Sequence, residues 1–196
     1  MTHTAPSREP LPRYAPGRDL PPYAFVGGGP FPHPRNQEGG HSLGEPEPKA
    51  APLAPEAWEE NEAYRYGMDL FNHGYYWEAH EQWEAVWVAS GREGTAAEFL
   101  KGLIKLAACG VKVRQERNRG IRRHACRAIG HFQRVIEEAG RRSYAGLDLD
   151  ELILFAEDIL ENPEGSGPDG GERVTVVFDR TLQPGGDEDT PPSAGP

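Results

Sequence analysis

Apolar and polar residues in the middle of this chain recur with the spacing of α-helices, whereas the two ends show no sustained period. Tyr64, Met68 and Phe71 form one apolar stripe on a first helix, which the pattern predicts from Pro55-Glu56 to Asn72-His73-Gly74. Pro55 suits a first turn, Glu56, Glu59 and Glu60 suit the positive end of the helix dipole, and Gly74 suits a left-handed C′ position. A second helix, about Tyr76 to Ala89, turns Tyr76, His80, Trp83, Glu84 and Trp87 into one sector at about 100° per residue, so two polar groups are expected to share its apolar face. Gly91 and Gly94 end it. Thr95, with Glu98 three residues on, reads as a capping box for a third helix, Ala96 to about Glu116. There Phe99, Leu100, Leu103, Ile104, Leu106, Ala107 and Val111 oppose a ridge of Lys101, Lys105 and Lys112. Asn118-Arg-Gly120 turns the chain into a fourth helix, about Ile121 to Ala139, with Ile121, Ala125, Ala128, Ile129, Phe132, Val135 and Ile136 inward. A fifth begins near Asp148, with Glu151 three residues later, and stops at Asn162-Pro163.

Connections this short favour antiparallel neighbours, so the expected fold is all-α, a small up-and-down bundle of about five helices over residues 55–162. Residues 1–54 read as a Pro- and Gly-rich extended arm. Tyr23-Ala-Phe-Val26 and Phe31-Pro-His-Pro34 give that arm apolar groups that a purely solvating linker would not need, so part of it is expected along the domain surface. Residues 163–196 read as a linker, a candidate short strand at 173–179 in which Val174, Val176 and Phe178 alternate, and a disordered acidic tail. A lone strand needs a partner, and the arm near Tyr23 to Val26 is the expected one.

Composition narrows the class. Most of the 24 Gly and 19 Pro lie at the two ends, which leaves about 110 residues, with all four tryptophans, for one modest core. Lysines interrupt the longest apolar stretch, Phe99 to Val113, so no membrane span is expected, and the opening residues lack the apolar region of a secretory leader. A cytoplasmic protein is the expectation. Cys109 and Cys126 lie in helical pattern outside any Cys-x-x-Cys spacing and read as reduced structural thiols. The net charge of −10 conceals twelve Lys or Arg against three Glu between Lys101 and Arg142. Basic helices facing acidic ones explain this more simply than a nucleic-acid surface does.

Phe71-Asn72-His-Gly74-Tyr-Tyr76-Trp-Glu78-Ala-His80-Glu81-Gln-Trp83-Glu84-Ala-Val-Trp87 closely resembles the signature of the family catalogued as domain of unknown function 309. Phe99-Leu100-Lys101-Gly102-Leu103-Ile104, Leu106-Ala107-Ala108, Asn118, Gly120 and Arg127-Ala128 resemble its following helices in order and spacing, so the likeness runs from about Trp58 to Ile136. The resemblance implies a small helical bundle and no established activity. Relatives place a His about a turn after the Leu-Ala-Ala run, where this chain has Val111-Lys112-Val113. Pro32-His33-Pro34 and Gly40-His41-Ser42 resemble an extension seen in some relatives.

The candidate chemistry centres on His80, Glu81 and Glu84 among Trp77, Trp83 and Trp87. Its first reading is a buried polar network, with Asn72 and Glu81, that fixes how the first three helices meet, or else a small binding pocket. A second is a divalent-metal site on His80 and Glu84, which would need a further ligand from His33, His41, His73 or His124. A third is a hydrolase or isomerase in which His80, Glu81 and Glu84 act as acid and base, with the arm closing through His33, Arg35 and His41 as a lid. Asn72, Glu78, Trp77, Trp83, Trp87 and Lys101 are candidate binding residues. A fourth reading is an interaction module, in which Lys101 or the Arg119, Arg123, Arg127 and Arg134 side meets an acidic protein in preference to nucleic acid. A small molecule or a protein is thus the expected partner, without a membrane, and the pattern leaves the oligomeric state open.

Overall fold

The computed structural model describes residues 11–46, 49–163 and 172–185. Five α-helices form a bundle in which each packs on the next: α1 (Glu62–Asn72), α2 (Tyr76–Ala89), α3 (Thr95–Arg114), α4 (Asn118–Ala139) and α5 (Leu149–Glu161). No described helix is long and apolar enough to cross a membrane. The core is continuous, with Tyr64, Met68, Phe71, Tyr76, Trp83, Phe99, Leu103 and Phe132 all almost wholly buried. Cys109 and Cys126 are both free, the first buried and the second exposed. Burial pushes the Cys109 thiol up to about 12, so it is an inert packing group.

Most predicted helix ends hold, and their chemistry is visible. α1 closes in a Schellman motif: Gly74 is left-handed at φ 88°, its N–H meets Phe71 C=O, and Tyr75 N–H meets Leu70 C=O. Asp148 caps α5 by accepting the N–H of Glu151 at 3.0 Å.

Three expectations are corrected. Pro55–Glu60 is a separate 3-10 segment kinked at Ala57, and α1 starts only at Glu62. Asn61 causes the break, because its side chain accepts the N–H of Tyr64 while its amide donates to Ala51 and Pro52. The Thr95–Glu98 capping box does not form. Gly94 is the cap residue, and Glu98 instead gathers Lys101, His131 and Arg134 at 2.6, 2.8 and 3.0 Å. Burial raises the Glu98 pKa, but those three donors outweigh it and hold the carboxyl down at about 2. Asn118-Arg-Gly120 is the first turn of α4, not a loop before it.

The described part of the tail, residues 172–185, has no strand ladder, including the 173–179 segment expected as a strand. Ala24 N–H donates to Arg173 C=O at 2.8 Å and the Tyr14 hydroxyl to Leu182 C=O at 3.3 Å, so arm and tail do meet, but among the described residues by one bond between backbones. The ladder that does form is the two-residue hairpin β1 (Ser143–Tyr144) with β2 (Leu147–Asp148), joined by left-handed Ala145 and Gly146. The acidic stretch from Asp187 lies outside the described residues.

Close helix approach is built on glycine. A methyl group at Gly67 of α1 would overlap the Trp83 indole, one at Gly102 the Phe132 ring, and one at Gly110 the Tyr76 ring. Gly67→Ala should therefore cost about 1–3 kcal/mol of stability through overpacking. Gly130, in α4, has only the Arg134 guanidinium at 3.9 Å, so Gly130→Ala should be neutral or gain up to about 1 kcal/mol. Urea unfolding of the two variants checks the contrast.

Candidate functional site

Helix α2 buries the ridge Tyr76, Ala79, Trp83 and Val86, at spacings of three and four. His80, Glu84 and Trp87 fall one residue past this ridge and lie on its flank. The His80 and Glu81 side chains are 29% and 30% exposed and that of Glu84 is 49% exposed, so Glu84 does not share the buried face. A sealed His80–Glu84 network at the junction of the first three helices is thereby corrected: the geometry is that of a half-open cluster. His80 Nδ1 stands 3.5 Å from Glu81 Oε1 and 3.9 Å from Glu84 Oε2. That nitrogen is itself shielded from solvent and makes no hydrogen bond.

The tryptophans do different things. Trp83 is fully buried and donates its indole N–H to Tyr64 C=O at 3.2 Å. Trp77 is half-buried and takes Phe25 and His33 of the arm edge-on, with ring centres 5.3 and 5.2 Å away. Trp87 is half-buried beneath the Arg92 guanidinium. Lys101 belongs to the Glu98 group, one turn along α3 from Lys105 and a more crowded set of cations. In that set His124 is driven down to about 4 by burial and by Lys105, Arg123, Lys112 and Arg127.

Three of the buried polar groups, Asp69, Asn72 and Glu78, hold the chain ends. Asp69 on α1 is fully buried, and its carboxylate accepts Arg13 Nε at 3.0 Å, Tyr14 N–H at 2.7 Å and Ala15 N–H at 2.9 Å. Asn72, one turn on, pairs both ways with the Leu182 backbone, donating to its C=O at 2.8 Å and accepting its N–H at 2.7 Å. Asn72 therefore fastens the tail; it is not part of a network with His80. Glu78 on α2 accepts Phe25 N–H at 2.8 Å, and His41 Nε2 lies 3.2 Å from the same oxygen. The tail is also held where Val177 N–H donates to the buried Tyr76 hydroxyl and where Phe178 packs against Phe71, Tyr76 and Phe155.

Thus the arm does cover α2, but His33 rests on Trp77 and His41 reaches Glu78. Among the described residues, the group placed to share a metal ion is His80, Glu81 and Glu84, and no second histidine joins it. Where the arm crosses α1 and α2 it encloses a cleft of about 770 Å³. Its walls include Arg18, Arg35, His41, Lys49, Glu78 and Gln82, with Glu81 at one side. Asp69 is the residue that sequence reasoning missed. Its signal was a charge inside the run Gly67-Met68-Asp69-Leu70-Phe71, where the spacing leaves no solvent face. Asn72→Ala should lower stability by about 1–3 kcal/mol, because it strands the buried Leu182 N–H and leaves the Leu182 C=O only the Tyr14 hydroxyl at 3.3 Å; urea unfolding measures the loss.

No curated protein matches the chain. Residues 64–124, from the first turn of α1 into α4, match the family model described as Domain of unknown function (DUF309). The stretch that supplies Asp69, Asn72, Glu78 and the His80 cluster is thus the part of the chain that is similar to the DUF309 family.

Proposed function

We propose that this protein binds a small amphoteric molecule in the cleft between its arm and helices α1 and α2. The observation that carries the reading is the second oxygen of Glu78. Glu78 is only 6% exposed, and its Oε2 is shielded from solvent without a hydrogen-bond partner among the described residues. Gln82 Oε1, one turn along the same helix and on the same cleft, is in the same condition. An ionised carboxylate oxygen left unpaired in a protein interior costs about 1–3 kcal/mol or more, so the two acceptors favour a ligand that brings N–H donors.

The arm also brings cations to the cleft, set beside the acids Asp19 and Glu45. Arg35 and Lys49 of the arm line the cleft, as does Arg18, which lies over the Tyr66 ring. An ammonium or amidine end toward Glu78 and Gln82, with a carboxylate or phosphate end toward Arg35 and Lys49, uses both sets of groups. A cleft of about 770 Å³ is within the range of small-molecule sites. Binding requires nothing of His80, which stands outside these walls, so the reading is of a binding protein and assigns no reaction.

The test is a heteronuclear NMR titration of the full chain with single amino acids, a diamine and a dicarboxylic acid. The Phe25, His41 and Gln82 amides should shift with amphoteric members of the set and not with the dicarboxylic acid. Glu78→Gln keeps one carbonyl oxygen for Phe25 and His41 but turns the other acceptor into a donor. It should weaken binding by about 10- to 100-fold while leaving the Phe25 amide signal in place. Absence of a response to every compound, or equal affinity in Glu78→Gln, contradicts the proposal.

A further inference from the structure

We propose that His80, Glu81 and Glu84 form a site for one divalent transition-metal ion on the flank of α2, at the edge of the Glu78 cleft, which Glu81 also lines, and without any need for that cleft to bind a ligand. The argument begins with spacing. One nitrogen and two carboxylate oxygens from these side chains lie within 4.8 Å of one another. A His–carboxylate hydrogen bond would close to about 2.8 Å. The observed separations from His80 Nδ1, 3.5 Å to Glu81 and 3.9 Å to Glu84, are too long for that. They approach the distance between two ligands of one ion: with metal–ligand bonds near 2.1 Å, tetrahedral ligand atoms stand about 3.4 Å apart. The two separations from His80 are therefore near the spacing of ligands around a common centre, and side-chain rotation would bring the two carboxylates, within 4.8 Å, to the same ion.

The state of the imidazole gives a second, separate indication. Its Nδ1 is shielded from solvent and without a hydrogen bond, although two carboxylates face it. In the tautomer that leaves Nδ1 without a proton, its lone pair sits beside two carboxylates, an arrangement that suits a cation. All three ligands come from one rigid helix at positions i, i+1 and i+4, so a bound ion would need side-chain rotation only. One imidazole with two carboxylates is a borderline donor set, suited to Zn²⁺ or Mn²⁺ and poorly suited to Cu⁺. The partial exposure of all three side chains leaves room for water or another ligand to complete the coordination. His33, His41 and His124 are engaged elsewhere, on Trp77, on Glu78 and among the cations of α3 and α4, so the site draws on α2 alone.

Isothermal titration of the full-length protein with zinc chloride and, separately, manganese chloride tests the site. One ion should bind per chain. His80→Ala, Glu81→Gln and Glu84→Gln should each weaken binding by at least about tenfold. His124→Gln and Cys126→Ser, which remove other donors, should leave it unchanged. Glu84 is half-exposed, so Glu84→Gln keeps the test decisive even if another variant folds poorly; far-UV circular dichroism verifies each fold. For the manganese-loaded protein, paramagnetic broadening should be centred on the His80 ring in NMR spectra. Failure of the wild type to bind either ion overturns the proposal, as does unchanged affinity in both His80→Ala and Glu84→Gln. Glu78→Gln should leave ion binding intact, which separates this outcome from that of the cleft.

Discussion

Three buried polar side chains, Asp69, Asn72 and Glu78, determine how the ends of this chain are arranged. Each lies on a helix face that solvent does not reach, and each would carry a desolvation penalty without hydrogen-bond partners. The bundle supplies few of those partners. Asp69 receives its donors from Arg13 to Ala15, Glu78 from Phe25 and His41, and Asn72 from Leu182. Folding of the helical domain and docking of both ends are therefore one problem. A bundle without its arm would expose or strand a carboxylate in the middle of α1.

This arrangement gives the DUF309 signature a physical meaning in this chain. Asn72 and Gly74 lie where the tail crosses, and a methyl group at Gly74 would overlap the Thr175 carbonyl. Glu78 lies where the arm crosses, and it also reaches the cleft that the crossing creates. The arm lies on the domain through apolar contacts as well: Tyr23 stacks on Phe31 at 4.9 Å, Tyr23, Ala24 and Val26 are buried, and Phe25 and His33 enclose Trp77. The segments outside the helical periodicity are thus what turns a bare helix face into the wall of an open cleft.

The bundle was legible in the sequence because α1, α4 and α5 are strongly amphipathic and several helix ends carry glycines at positions that need a left-handed backbone. Gly74 and Gly91 were readable for that reason. The break at Asn61 was legible in principle, since an asparagine three residues before a buried tyrosine is an N-cap signal, but Pro55 and the acidic run after it gave an equally good start. Thr95 and Glu98 had the spacing of a capping box. What periodicity does not show is that His131 and Arg134, a helix away, outcompete the local N–H for that carboxylate. The His80 cluster was assigned to the right helix and turned too far inward. A shift of one residue from the buried ridge separates Trp83 from Glu84, and a wheel drawn without neighbouring helices does not fix where the ridge ends. The docking of the ends was the least legible part. Its partners are 37 to 110 residues apart in sequence, and a backbone N–H leaves no trace in residue type.

Amide hydrogen exchange on the full-length protein tests this account most directly, because it reports residue by residue whether the ends are docked. The amides of Tyr14, Ala15, Phe25 and Leu182 should be strongly protected, while Gly17 and Gly28, neighbours in the same arm without such acceptors, should exchange quickly. Free exchange at all four docked amides, with the helices of the bundle still protected, would mean that Asp69, Asn72 and Glu78 do not hold the chain ends, and the account would fail.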